Sequence, residues 1–239
     1  MTVKILEQPS TLVLPIAEML CDKPLGDVPK PFNNQSHALG IFGPPRSGKS
    51  VMIQGILGAK KPNQVFRKRF NKIYLFQPQN SRGSVKKSVF DTLDDDQVYD
   101  DLDAETLGDV YEKIKINAEE GLYSLIVLDD MATSLKQNDV QQLLCNICNN
   151  RRHYKTTLWI VAQSYISIPR PVRKVLSEIC VFKSNNKLEY ESIWNEMLFL
   201  PKDVGEALIR YVYKAPHDML YLNADGEMYR NFAALTLEY

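Results

Sequence analysis

The sequence predicts an α/β chain: a mostly parallel central sheet flanked by helices and closed by a C-terminal β-hairpin. Three observations carry that reading. Short apolar runs alternate with helical segments, a glycine-containing turn joins the first run to the first helix, and "DMLYLNADGEMYRNF" (218–232) places two strand-like runs around a turn. Continuous β-branched and aromatic runs are the pattern of strands covered on both faces of a parallel sheet. A βαβα order folds such runs into one open sheet with right-handed crossovers.

Taken in chain order, residues 1–36 hold several prolines and read as an irregular or partly helical lead-in to one unit spanning 37–239. "ALGIF" (38–42) is the first strand; the glycine turn and a helix from Lys49 to Ala59 follow it. "KIYLF" (72–76), "SLIVLDD" (124–130), "TLWIVAQ" (157–163) and "EICVFK" (178–183) are the next four strands, with helices over 104–119 and 138–152. The acidic tract "DTLDDDQVYDDLDAE" (91–105) reads as a solvated loop leading into a helix. In the terminal hairpin, "ADG" gives the turn chemistry within Asn223–Gly226.

A chain of 239 residues can hold one large α/β core or at most two small domains. The apolar runs are too short for a membrane span, and "MTVKILEQPSTL" lacks the layout of a signal peptide. The expectation is a chain without a transmembrane segment that stays in the compartment that makes it. A net charge of +0 excludes bulk attraction to nucleic acid, so any such surface must be local. The spacing "CNIC" (145–148) is metal-like, but there is no second CxxC and only three histidines occur in the chain. Zinc needs about four ligands. Cys145 and Cys148 are better read as two small apolar side chains on one helix face.

"GPPRSGKS" (43–50) fits G-x-x-x-x-G-K-[ST] with a strand before it and a helix after it, the context that this phosphate-binding loop requires. Gly43 and Gly48 permit a backbone tight enough to wrap an anion. Pro44 and Pro45 have no N–H and stiffen the front of the loop, so the donors are the amides of Arg46, Ser47, Gly48, Lys49 and Ser50 at the positive end of a helix. Lys49 is placed to reach the β- and γ-phosphates of a nucleoside triphosphate, and the Ser50 hydroxyl to ligate Mg²⁺. The matching carboxylate is Asp129, at the end of "LYSLIVLD", assigned to Mg²⁺ through a bound water. Asp130 stands where a base would orient the attacking water; capping of a following helix is the alternative. "KIYLF" lies between the glycine loop and Asp129, so the Walker B strand is not the next strand in sequence, the layout of NTPases with an additional inserted strand. Gln163, ending "TLWIVAQ", lies at the sheet edge where ligands bind in open α/β folds, fit to sense the γ-phosphate or orient water. Arg151 and Arg152 in "NNRRH" are candidates for a finger acting on a neighbouring subunit's site; charge at a helix C-terminus is their alternative.

In this order, "GIFGPPRSGKS", "LIVLDDM", "NNRRH" and "WIVAQSYISIPRPVRK" resemble the viral genome-packaging ATPases of the poxvirus type, found also in other large DNA viruses, virophages and related transposons, within the FtsK/HerA superfamily. The resemblance covers roughly 37–235. It implies a RecA-like P-loop NTPase using ATP and Mg²⁺, a homo-oligomeric ring (hexamer or pentamer), and double-stranded DNA driven into a preformed viral capsid at its packaging vertex. Host-cell cytoplasm or virus factory is the implied location, with association with the virion. By matching position, Lys49 and Ser50 bind phosphate and Mg²⁺, Asp129 and Asp130 form Walker B, and Gln163 is the sensor. Cellular relatives usually carry Glu where this chain has Asp130, one methylene shorter.

Three basic stretches compete for a DNA backbone: Arg67, Lys68, Arg69 and Lys72; Arg82, Lys86 and Lys87; Arg170, Arg173 and Lys174. The second, in a polar loop after a strand, could line a ring's channel and grip phosphates without reading bases. Two alternatives to the packaging motor stand: a cellular-type DNA pump of segregation or conjugation, and a non-hydrolysing nucleotide-dependent assembly switch. Asp130, Gln163 and the candidate fingers disfavour the switch, since a pure binder has no need to activate water.

Overall fold

The computed structural model describes residues 24–83 and 85–237. Residues 1–23 of the predicted lead-in, Cys21 among them, lie outside the described residues; residues 24–36 form turns and no helix. The core is a nine-stranded sheet. Its strands are β1 (Ala38–Phe42), β2 (Lys72–Phe76), β3 (Val98–Tyr99), β4 (Ser124–Asp129), β5 (Thr156–Ala162), β6 (Glu178–Phe182), β7 (Met219–Leu222), β8 (Met228–Arg230) and β9 (Ala233–Leu235), in the order β3-β2-β4-β5-β1-β6-β7-β8-β9. The pairs from β3 to β6 are parallel and those from β6 to β9 antiparallel.

Every residue of β1, β5 and β6 is buried, which is why their sequences show no alternation. One face packs against α2 (Ala104–Glu119), α3 (Asn138–Asn149), α4 (Arg170–Val175), α5 (Lys187–Ile193) and α6 (Lys202–Val212). The other packs against α1 (Lys49–Gly58), Phe32 and the aromatic pair Phe66 and Phe70 beside Trp159. Helix α2 starts at Asp103, whose carboxylate accepts the Thr106 N–H at 2.9 Å; such a cap contributes about 1 kcal/mol. Leu107, Val110 and Ile114 recur at helical spacing on its buried face. Its buried Asn117 donates to the Tyr74 hydroxyl and to Ser124 Oγ, fastening the helix to β2 and β4.

The predicted strands and helices are found within a few residues of their expected bounds. Four features differ. The strand inserted between those of the glycine loop and Asp129 is β5 in space, while "KIYLF" pairs on the far side of β4. The acidic tract carries the edge strand β3: Tyr99 stacks on Phe76 with ring centroids 4.7 Å apart, and the Gln97 side chain donates to the Ile73 carbonyl. The hairpin gains a third strand, β9 on β8. Asp130 caps no helix; a non-helical turn follows it. In α3, Cys148 sits in the core, its thiol pushed up to about 12 by burial, whereas Cys145 is half-buried against the Pro171 carbonyl. No group of three or more His, Cys, Asp or Glu side chains that could hold a metal occurs among the described residues. No described helix is long and apolar enough to cross a membrane.

The loop entering β7 is organised by one carboxylate. Asp218, 4% exposed, accepts from the Lys214 and Ala215 amides at 2.9 and 2.7 Å, from Arg230 Nη2 at 2.8 Å and from Asn231 Nδ2 at 2.5 Å. The Arg230 guanidinium and the Asn231 amide hold its pKa well below the ordinary carboxylate range. A depressed acid contributes stability that is complete above its unfolded value and disappears as the pH falls through the folded one. Asp218→Asn is therefore expected to lower the urea midpoint at neutral pH and to narrow the gap from the parent below about pH 4. Denaturation curves across that range check it; a gap that widens in acid contradicts it.

Candidate functional site

The site is built at the C-terminal edge of the parallel strands. β1 is followed by Gly43, where an added Cβ would lie 2.7 Å from both Phe182 Cβ and Ser47 Oγ, so only glycine allows this close approach. The chain then turns through Pro44, Pro45 and Arg46 to Gly48, whose φ of 115° lies in the left-handed region. Helix α1 begins immediately afterwards with no side-chain cap, and its first internal bond is Met52 N–H to the Gly48 carbonyl. The amides of Gly48, Lys49, Ser50 and Val51 therefore stand at the positive end of α1 with no carbonyl one turn back to bond. The Ser47 amide instead closes a turn on the Pro44 carbonyl at 3.2 Å, which removes it from the expected set of donors.

Lys49 folds back over the loop, donating to the Gly43 and Pro44 carbonyls, the latter at 3.1 Å. Burial lowers its pKa, and the charges of Asp129 and Asp130 pull it partly back up. Asp129 shows the opposite balance. Burial raises its pKa, the Gln77 hydrogen bond opposes that, Asp130 adds to it and Lys49 opposes it. Gln77 Nε2 donates to Asp129 Oδ2 at 2.7 Å. Asp130 is exposed, in the left-handed region at φ 60°, with its amide on the Val161 carbonyl. Gln163 Nε2 reaches Asp130 Oδ1 at 3.5 Å, a weak contact that still puts the two groups side by side.

Lys49, Asp129, Asp130 and Gln163 thus converge on one edge of the sheet. Ser50, Gln77 and Asp129 line one cavity of about 30 Å³, enough for a single water or small hydrated ion. The hydroxyls of Ser47, within the loop, and Ser164, just after β5, are buried without a hydrogen-bond partner among the described residues. Uncapped amides, an ammonium, a hydroxyl and a carboxylate fit a magnesium-bound polyphosphate, because Mg²⁺ is usually held by one or two carboxylates, waters and the phosphates themselves. His217 touches the loop from the β7 side, its Nδ1–H donating to the Ser47 carbonyl at 2.9 Å.

Arg151 and Arg152 are not brought to this edge. They precede β5 in sequence and lie at the opposite end of the parallel sheet. Arg151 donates to the Ser36 and Cys148 carbonyls at 3.2 and 2.7 Å, the arrangement of a basic side chain neutralising a helix C-terminus; Arg152 is exposed. Arg173 holds Glu196 in a two-pronged ion pair at 2.8 and 3.0 Å and is engaged inside the fold. Arg82 pairs with Asp100 and donates to the Gln77 carbonyl at 3.2 Å. The sequence reading missed Gln77 and His217. Gln77 follows an apolar strand as Gln163 does, but its contact with Asp129 depends on the pairing of β2 with β4, which the segment itself does not show.

Residues 30–203 match the family model described as Poxvirus A32 protein. Among curated proteins no sequence matches. The fold is similar to that of the genome packaging NTPase B204 from Sulfolobus turreted icosahedral virus 2, solved in complex with AMP: TM-score 0.58 at 13% identity, over 82% of this chain and 96% of that one. B204, described as the DNA-packaging ATPase from Sulfolobus turreted icosahedral virus, gives TM-score 0.58 at 16% identity over 86% and 100%. ATPases 2 and 3 of EssC from Geobacillus thermodenitrificans give 0.53 at 16% identity, over 83% of this chain and 39% of that one. The architecture is that of a P-loop NTPase.

Proposed function

The chain belongs to the poxvirus A32 protein family, and from that membership we propose that it is an ATP-driven motor that packages double-stranded viral DNA into a preformed capsid, with 37–239 as the ATPase unit. The observation that carries the reading is the convergence of the uncapped α1 amides, Lys49, Asp129, Asp130 and Gln163 on one edge of a P-loop NTPase fold. The related B204 structures were solved with AMP, ATP-gammaS and AMPPCP, which supports an adenine nucleotide as substrate here.

In this mechanism the Gly48 to Ser50 amides bind the phosphates, and Lys49 leaves the Gly43 carbonyl to meet them. Ser50 and Asp129 would hold Mg²⁺, which when bound would supply positive charge to the oxygens that become negative as the phosphoryl group departs. Asp130 accepts a proton from the attacking water, and Gln163 beside it orients that water. The subunits form a homo-oligomeric ring, in which Arg151 or Arg152 acts on a neighbouring subunit's site.

The DNA contact is assigned to the loop carrying Arg82, Lys86 and Lys87. That loop leaves the sheet from the same edge as the glycine loop, and Arg82 binds the carbonyl of Gln77, whose amide binds Asp129. A pull on the loop therefore reaches the Mg²⁺ carboxylate through two hydrogen bonds. The protein acts in the host cytoplasm or virus factory and at the capsid vertex.

Phosphate release is expected to require Mg²⁺ and to rise severalfold when duplex DNA is added. No release with or without DNA, despite ATP binding, would instead support the nucleotide-dependent switch. Release that DNA leaves unchanged would remove the motor from the reading.

A further inference from the structure

Gln163, to which the orientation of water is assigned, stands exposed just past β5 and reaches Asp130 only across 3.5 Å. What fixes its direction is the backbone that follows. Two residues on, the Tyr165 N–H donates to the Glu189 carboxylate at 2.5 Å, from the first turn of α5. We propose that Glu189 is the positioning residue for Gln163, holding the turn after β5 so that the glutamine amide stays beside Asp130. The inference rests on the ATPase reading and adds what sets the aim of the group that orients water.

Three observations carry it. First, Glu189 is 1% exposed. A carboxylate so far from water destabilises a fold unless it is hydrogen-bonded, and an apolar side chain in such a place is often neutral or better. Packing alone therefore gives no reason for an acid here. With so little exposure the carboxylate meets no ligand itself, and it acts through the turn it binds.

Second, the amide it serves has no acceptor within its own turn. That turn closes with the Ser167 and Ile168 amides on the Ser164 and Tyr165 carbonyls, at 3.3 and 3.2 Å, and with the Ser167 hydroxyl on the Ser164 carbonyl at 2.6 Å. Those bonds tie the turn to itself. The Tyr165 N–H is a donor left over at its start, and Glu189 fastens it to the helical layer.

Third, one helical segment grips Tyr165 at both ends. The ring is fully buried, edge-on to Phe42 at 5.3 Å between centroids and 4.9 Å from the Arg173 guanidinium. Its hydroxyl donates to Glu196 Oε2 at 2.9 Å, in the π-helical turn Trp194–Leu198 that continues α5. Glu189 and Glu196 thus hold the backbone and the ring tip of the same residue, which blocks rotation of the chain two positions after Gln163. Glu189, Gln163 and Pro44 of the glycine loop line one cavity of about 510 Å³, so this clamp stands next to the phosphate end of the site.

The test is steady-state hydrolysis of Mg·ATP by the full chain, with Mg·ATP affinity measured by calorimetry on the same preparations. Glu189→Asp keeps the charge but falls a methylene short of the amide. It is expected to lower kcat about tenfold with affinity within about twofold of the parent. Glu189→Gln keeps the reach and loses the charge, and is expected to retain kcat within about threefold. Gln163→Ala is expected to lower kcat by about a hundredfold, and Glu189→Asp added to it to lower kcat by less than about twofold more, because both act on one group. Tyr165→Phe, which releases the other end of the clamp, is expected to lower kcat severalfold and keeps the proposal testable should Glu189→Asp misfold. Unchanged kcat in whichever of those two folds, equal losses in the aspartate and glutamine variants, or losses that multiply in the double variant overturn the positioning role. A parent that hydrolyses no ATP, or a Gln163→Ala protein with the parent's kcat, overturns instead the reading on which it rests.

Discussion

Lys49→Ala is expected to reduce ATP turnover by about two to three orders of magnitude, with the fold unchanged. The Lys49 ammonium carries a full positive charge at the helical end of the loop, and its hydrogen bonds among the described residues run to the Gly43 and Pro44 carbonyls. Those bonds hold the side chain over the cradle; they join no two elements of the core. Burial already disfavours the charged form, as the lowered pKa records, so truncation removes a desolvated charge and not a structural tie. The thermal midpoint should therefore stay close to the parent's while phosphate release collapses. Lys49→Arg is expected to recover little, because a planar fork cannot replace a compact ammonium in a space bounded by two carbonyls. Phosphate release and a melting curve on the same preparations check both statements. Turnover retained in a folded Lys49→Ala protein would sink the assignment of the loop.

How far such a site can be read from sequence depends on whether its parts are local. The strand, loop and helix from Ala38 to Gly58 are contiguous, and every physical requirement falls within a few residues: an apolar run, glycines at the turn, a lysine and serine at the helix start. Asp129 and Gln163 are legible for a related reason, since each marks the end of a buried strand, and parallel strands deliver their C-terminal residues to one edge. Gln77 needed one further fact, that β2 lies beside β4 with Phe76 opposite Leu128, which puts the next residue on each strand in contact. Pairing of that kind is set by packing across the sheet and leaves no mark within the "KIYLFQ" segment. Arg151 is legible only in part for a similar reason: it bonds the Cys148 carbonyl at the end of α3, which a position between two strands does not reveal.

Asp129→Asn should separate activity from stability in opposite directions. The carboxylate is desolvated beside a second acid, Asp130, and its pKa stands above the usual aspartate value. An acid raised on folding makes the native state lose stability as the pH climbs from its unfolded value, 3.8, through the folded one; above that window the penalty is complete. Asparagine has the same shape, and its carbonyl oxygen can still accept the Gln77 amide that now bonds Oδ2 at 2.7 Å. It carries no charge to desolvate. The variant is thus expected to melt higher than the parent at neutral pH, with the difference vanishing in acid where the parent's carboxylate is protonated. Turnover moves the other way. An amide oxygen binds Mg²⁺ and its waters far less strongly than a carboxylate, so Mg²⁺-dependent hydrolysis is expected to fall about a hundredfold or more. The ligand response distinguishes this from a simple packing gain. Mg·ATP binding to the native state raises the parent's midpoint by mass action, and that increment should shrink in the variant even as its unliganded midpoint rises. A variant that melts lower than the parent at neutral pH would show that Asp129 is held by stabilising contacts rather than tolerated for its chemistry, and retained hydrolysis would remove it from the metal site.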